Sequence, residues 1–239
     1  MRYRGARHLP EWLEQGAAVL RDNRKDDLTD TFQAIDKPIC IEVGCGRGGF
    51  IRQMAKLWPD VMFIGIDKVP AVIAKAAATS VEQGLTNVLF IIGDIEDIAP
   101  KLDTHRVQQI FLNFSDPWPK ARHANRRLTA HKKLDIYARL LSEDGVLEQK
   151  TDNQAFFEWS VESIADAGWS LLRVERGFAA VDVEAGGVEA SGVGAGSMGT
   201  SGVGAGGTIS SQFVQTEYEQ KFRAQGIPIH YLCARPPKA

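Results

Sequence analysis

Short apolar runs that alternate with helix-patterned stretches constrain this chain more than any other feature. Pro38 to Val43, Val61 to Ile66, Asn87 to Gly93, Val107 to Phe114, Gly145 to Thr151, Trp169 to Arg176 and Pro228 to Ala234 each read as a strand. Runs of that length are what a strand covered on both faces presents. Between them, Gly49 to Trp58 sets Phe50, Met54 and Leu57 on one helical face, and Pro70 to Gln83 opens on a first-turn proline. Thr129 stands where it would cap a helix running to Leu141. Asn153 to Ala167 is another helix, and Glu217 to Gln225 is one closed by Gly226. The alternation predicts an α/β fold: a doubly wound, mostly parallel seven-stranded sheet with helices on both faces. Such sheets bind ligands at the carboxyl ends of their strands, where the strand order reverses.

Size and composition agree with one such domain. The chain has 239 residues, 44% of them apolar, enough to bury a sizeable core. No apolar run nears the roughly 18 residues of a spanning helix, and the start lacks an apolar signal core, so a cytoplasmic chain without membrane contact is expected. Residues 1–36 read as a partly flexible arm and 37–239 as the domain, interrupted at about 182–211. Ten of the 23 glycines lie between Gly186 and Gly207, where SGVGAG occurs twice, and this composition predicts a flexible surface insertion. Cys40, Cys45 and Cys233 have neither disulfide nor zinc spacing, and no metal site is expected.

The predicted strand ends carry the chemistry. The first runs into Glu42-Val43-Gly44-Cys45-Gly46-Arg47-Gly48-Gly49, which fits both a dinucleotide turn and the E-x-G-x-G-x-G turn of S-adenosylmethionine enzymes. Charge separates the two. Glu42, Asp67, Asp94 and Asp116 stand at or near the ends of the first four strands, a set that suits a sulfonium and an ammonium group and would repel phosphates. Asp67 is placed for ribose hydroxyls and Asp94 for an adenine amino group. Each acid taken singly is equally well a helix cap or loop acid. After the fourth strand, Asp116-Pro117-Trp118-Pro119-Lys120 sets a carboxylate, an indole and an ammonium on a stiff loop, both residues before proline being expected extended. That set can stack a base, contact its edge and hold a phosphate, although Trp118 alone could be structural.

The net charge of −2 hides a segment of opposite sign. From Lys101 to Arg139 nine basic residues face three acidic ones. Lys120, Arg122, Arg126, Arg127, Lys132 and Lys133 are the candidates for holding nucleic-acid phosphates, against the plainer reading of a solvated helix face.

These residues resemble the bacterial-type tRNA (guanine-N7)-methyltransferases. The matching pieces are IEVGCGRGGF (41–50), GID (65–67), LNFSDPWPKARH (112–123), RRLT (126–129), KTDN (150–153) and TEYEQKF (216–222), in the family's order and spanning nearly the whole chain. The resemblance implies a Rossmann-like class I methyltransferase fold, S-adenosylmethionine as cofactor, and methylation of N7 of guanosine 46 in the tRNA variable loop. Carried over by motif, Glu42, Gly44, Gly46, Asp67, Asp94 and Asp116 are the cofactor-contacting positions, with Asp116 also catalytic. Lys120, Asp152, Thr216, Glu217, Tyr218 and Glu219 are the substrate-contacting ones. Thr216 and Glu219 equally fit a capping box, and Asp152-Asn153 a cap of the following helix. The implied partner is tRNA, to a monomer or homodimer without an obligate protein partner. The basic pair usual after the tryptophan motif is here Lys120-Ala121, and the amino-terminal arm is only mildly basic. A methyltransferase for another RNA or a small molecule, and a noncatalytic tRNA-binding protein, are the alternatives.

Overall fold

The structure, a computed structural model, describes residues 6–177, 209, 211 and 214–238. The expected insertion at 182–211 lies outside the described residues except for Ile209 and Ser211, both buried.

One sheet organises the described chain. In chain order its strands are β1 (Leu20–Asp22), β2 (Ile39–Val43), β3 (Met62–Asp67), β4 (Val88–Ile92), β5 (Val107–Asn113), β6 (Leu141–Thr151), β7 (Ser170–Glu175) and β8 (His230–Arg235). Their spatial order is β1-β4-β3-β2-β5-β6-β8-β7. Pairings from β1 through β6 are parallel, and β8 runs antiparallel between β6 and β7. The mostly parallel doubly wound sheet is as expected, with eight strands in place of seven. The additional one, β1, comes from the segment read as an arm. Its three residues pair with Phe90 to Ile92 at the sheet edge and are too few to show an alternating pattern.

Period-two burial explains why the strands read as solid apolar runs. Ile39, Ile41, Val43, Ile64, Ile66, Leu89 and Ile91 enter one core with α2 (Thr29–Gln33), α5 (Ile95–Ile98), α6 (His131–Leu140) and α7 (Gln154–Asp166). Cys40, Phe63, Val88, Phe90 and Ile92 enter another with α3 (Gly49–Leu57) and α4 (Pro70–Glu82). Each strand therefore has an apolar layer on both sides. Helix α1 (Leu9–Gln15) packs on α4, where a Cβ on Gly16 would lie 2.7 Å from that of Ala77.

Two local expectations fail. The residue before α6 in cap position is Ala130, and the buried Thr129 hydroxyl instead meets the Ser160 hydroxyl at 2.8 Å. Trp118 has φ 42°, left-handed and not extended. Pro119 excludes the right-handed helical region for the residue before it but leaves this one open, and contacts described below hold it there. Among the described residues no helix is long and apolar enough to cross a membrane.

Candidate active site

The order of strands reverses beside β2, and there a cavity of about 1020 Å³ opens at the carboxyl ends of β2, β3, β4 and β5. Helix α8 (Glu217–Ala224) borders it from the far side. Its wall includes Glu42, Gly44, Gly46, Asp67, Asp94, Asp116, Thr216, Glu217 and Tyr218, so the fold brings together nine residues singled out in the sequence. Lys120, Asp152 and Glu219 are not part of that wall.

The glycine turn is shaped by backbone requirements. Gly44 and Gly46 have φ of 81° and 54°, a region L side chains rarely adopt, which lets the chain reverse directly after β2. The N–H groups of Gly44 and Cys45 both donate to the Ile66 carbonyl, at 2.8 and 3.1 Å. The Gly46 N–H donates to Asp67 Oδ2 at 3.0 Å, and Oδ1 accepts from the Val69 N–H at 2.8 Å. Asp67 thus fixes the turn from the neighbouring strand and lines the cavity with a carboxylate whose acceptor capacity these two bonds do not exhaust.

Glu42 is the most perturbed acid of the site. It is 3% exposed, its Oε1 accepts from Asn113 Nδ2 at 2.9 Å, and its Oε2 is buried without a partner. Burial, reinforced by the charge of Asp67, pushes this carboxyl up to about 8 against the opposing pull of Asn113 and Lys150. A buried acceptor left unmet in a cavity wall fits a ligand that brings a hydrogen-bond donor or a positive charge.

Asp94 is spoken for by the protein. It caps α5 through the Glu96 N–H at 3.2 Å and takes Lys133 at 2.9 Å and Lys68 at 2.5 Å. Burial alone would raise its carboxyl, but the hydrogen bonds of Lys68, Lys133 and the Glu96 N–H bring it down to about 2. The cap considered for it in the sequence is therefore real.

Asp116 is exposed on the loop after β5, between Phe114 at φ 51° and Trp118 at φ 42°. Beneath it Arg127, 9% exposed, donates from Nε to the Pro117 carbonyl and from Nη2 to the Trp118 carbonyl, each at 3.0 Å. The same guanidinium lies 4.3 Å from the Trp159 ring centroid. Arg126 covers the Trp118 ring at 4.9 Å.

The other border is held by a buried ion pair. Lys150 Nζ meets Glu219 Oε2 at 3.0 Å, with exposures of 1% and 0%, and also donates to the Val214 carbonyl at 3.2 Å. Thr216 caps α8, its hydroxyl accepting from the Glu219 N–H at 2.9 Å. The Glu219 carboxylate serves Lys150 and Arg223, so the cap of the expected box is present and Glu219 is an anchor buried behind the wall. With α8 so fixed, Glu217 reaches over Gly49, whose Cβ would lie 3.1 Å from Glu217 Oε1. Tyr218, 59% exposed, stacks on Phe114 with centroids 6.1 Å apart. Asn153 caps α7 at 2.8 Å while the adjacent Asp152 stays half-buried.

The basic stretch is divided. Arg127, buried, is committed to the loop carbonyls and Lys133, buried, to Asp94 and Glu96, whereas Lys132 meets Glu96 at 2.5 Å in a pair whose lysine is 75% exposed. Lys120, Arg122, Arg126 and Lys132 remain exposed. Sequence reasoning missed Asn113, Phe114 and Lys150 as parts of the site. All three lay inside quoted motifs, but their partners are far away in the chain.

Solved structures that share this architecture include methyltransferases. A 16S rRNA methyltransferase, KamB, superposes with a TM-score of 0.57 at 13% identity, covering 87% of this chain and 92% of that one. An antibiotic-related methyltransferase gives 0.55 at 18% identity, over 88% and 92%. At such identities the likeness is of fold, and fold with cavity defines a class I methyltransferase architecture. The family described as "Putative methyltransferase" matches residues 36–174. A tRNA (guanine-N(7)-)-methyltransferase of Geobacillus kaustophilus is 40% identical over 205 residues, 85% of this chain and 82% of that protein. One from Macrococcus caseolyticus is 36% identical over 89% and 88%, and one from Lactococcus lactis subsp. cremoris 34% over 98% of each. The chain belongs to the tRNA (guanine-N(7)-)-methyltransferase family.

Proposed function

We propose that this protein transfers a methyl group from S-adenosylmethionine to N7 of guanine in tRNA, at position 46, as an enzyme of the cytoplasm. The family membership supports the reaction class. The observation that carries the cofactor is the unmet Glu42 Oε2 in a wall that also holds Asp67, Asp94, Glu96, Asp116 and Glu217 beside a tight glycine turn. When bound, the cofactor supplies an electrophilic methyl group on a cationic sulfur. Glu42 and Asn113 hold its ammonium end, Gly44 and Gly46 admit its close approach, and Asp67 accepts from its ribose. Asp94 acts through the Lys68–Lys133 cluster that sets the far edge.

Guanine N7 carries an in-plane lone pair and no proton, so its attack needs no general base. Orientation is then the main catalytic resource, worth on the order of 7–11 kcal/mol in well-aligned systems. Asp116 faces the base from the rim, stabilises the positive charge that develops on guanine, and accepts from its N1 and N2 donors. Thr216 to Tyr218 border the base site, Glu219 fixes them, and Lys120 and Asp152 contact the RNA beyond the cavity. Incubation with unmodified tRNA, then nucleoside mass spectrometry, tests the reading. Seven-methylguanosine is expected with the wild type and a loss of at least about tenfold with Asp116→Ala. Methyl label in a different nucleoside would assign the enzyme to another RNA target.

A further inference from the structure

We infer that Arg127 is a positioning residue for Asp116, and that it does not bind the RNA. Its guanidinium grips the two carbonyls that follow Asp116, those of Pro117 and Trp118, at 3.0 Å each. A bidentate fork of this kind fixes a plane as well as a distance. Trp118 is held at φ 42°, a conformation that persists only where its surroundings determine it. Nothing about a tryptophan before proline favours that value, and the Arg127 fork supplies what does. The Trp159 ring, 4.3 Å away, backs the guanidinium and fixes its orientation in turn. At 9% exposure, with two donors and one face engaged, Arg127 offers little to a phosphate. Arg126, its neighbour, is exposed and points its charge over the Trp118 ring at the surface. Two adjacent arginines therefore divide the work, one under the loop and one above it.

The inference rests on the proposed methyl transfer, and a lysine substitution separates the two roles for Arg127. Lysine keeps the charge and loses both the fork and the planar stack. With Arg127→Lys, kcat is expected to fall about tenfold and with Arg127→Ala about a hundredfold, the scale expected when a reacting group is misplaced by about 1 Å. KM for tRNA should stay within about twofold and the salt dependence of binding should not change, because no phosphate contact is lost. Arg122→Ala, an exposed control, should show the opposite split, with raised KM and a shallower salt slope. Hydrogen exchange should rise at the amides of residues 114–116 and 118 in Arg127→Lys while the core strands stay protected. Near-normal kcat in Arg127→Lys with raised KM in Arg127→Ala would make the residue a phosphate ligand and overturn the inference. Failure of Arg127→Lys to fold would make it merely structural and overturn it as well. If the wild type forms no 7-methylguanosine, the proposed reaction fails, and the exchange measurement still decides whether the fork holds the loop.

Discussion

Glu42 gives the sharpest test, because its burial predicts how stability must change with pH. The carboxyl titrates near 4.5 in the unfolded chain and at about 8 in the fold, so between those values the folded state binds the extra proton. Stability from this group is complete below about pH 4.5 and is lost as pH rises towards 8. At 1.36 kcal/mol per pH unit the whole loss is about 5 kcal/mol, of which about 2 kcal/mol falls between pH 6 and pH 8. Glu42→Gln keeps the shape and an oxygen for Asn113 Nδ2 but has no proton to lose. Urea unfolding of the cofactor-free protein at pH 6, 7 and 8 should show the wild type losing about 2 kcal/mol relative to the variant. For a chain of this size that is roughly 4–8 °C in Tm. Parallel pH curves for the two proteins would refute the reasoning, because they would mean that Glu42 is already ionised or solvated. Titration calorimetry adds a second arm. Under the proposed function a cationic ligand favours ionised Glu42, so S-adenosylmethionine should bind the wild type more tightly at pH 8 than at pH 6. The dependence should flatten in Glu42→Gln.

Three further outcomes follow from contacts already described. Lys150→Met leaves the buried Glu219 with Arg223 beside it and without its lysine, and should cost about 3–5 kcal/mol in urea unfolding, with α8 the first helix to lose hydrogen-exchange protection. Protection of α8 equal to wild type would show that the pair does not hold it. Gly48→Ala sets a Cβ 2.8 Å from Phe90 Cε1 at a φ of 66°, so a loss of about 2–4 kcal/mol and a matching fall in Tm are expected. With four exposed basic residues rather than six, tRNA affinity should fall with log salt at a slope of roughly −3 to −4, measured by filter binding. A slope near −5 would return Arg127 and Lys133 to the phosphates.

The fold was legible because a buried parallel strand leaves little freedom in sequence: Ile39 to Val43 and Val88 to Ile92 face apolar neighbours on both sides and must be apolar throughout. Strand β1 was not legible, since three residues paired along one edge need no such pattern. The cap of α8 at Thr216 was readable from local spacing, whereas Thr129 looked like a cap and is bonded to Ser160 across the core. Local hydrogen bonds can be read from neighbours in sequence. Partners 31 residues apart cannot.

The same distinction explains why the motifs occur together at all. Asp67 of GID binds Gly46 of the glycine turn, Arg127 of RRLT holds the carbonyls of DPWPK, and Lys150 of KTDN meets Glu219 of TEYEQKF. Each motif that faces the cavity is thus fixed by a residue from another motif, often by a charged group with no access to solvent. Charge in this sequence therefore has two uses that composition cannot separate. The +6 segment spends Arg127 and Lys133 on internal carbonyls and carboxylates, and the acidic remainder spends Glu219 on Lys150. A buried charge must be paired within the fold, so burial decides which of the two uses a given residue serves. Exposure, and not motif membership, then selects Lys120, Arg122, Arg126 and Lys132 as the residues left to meet an RNA backbone.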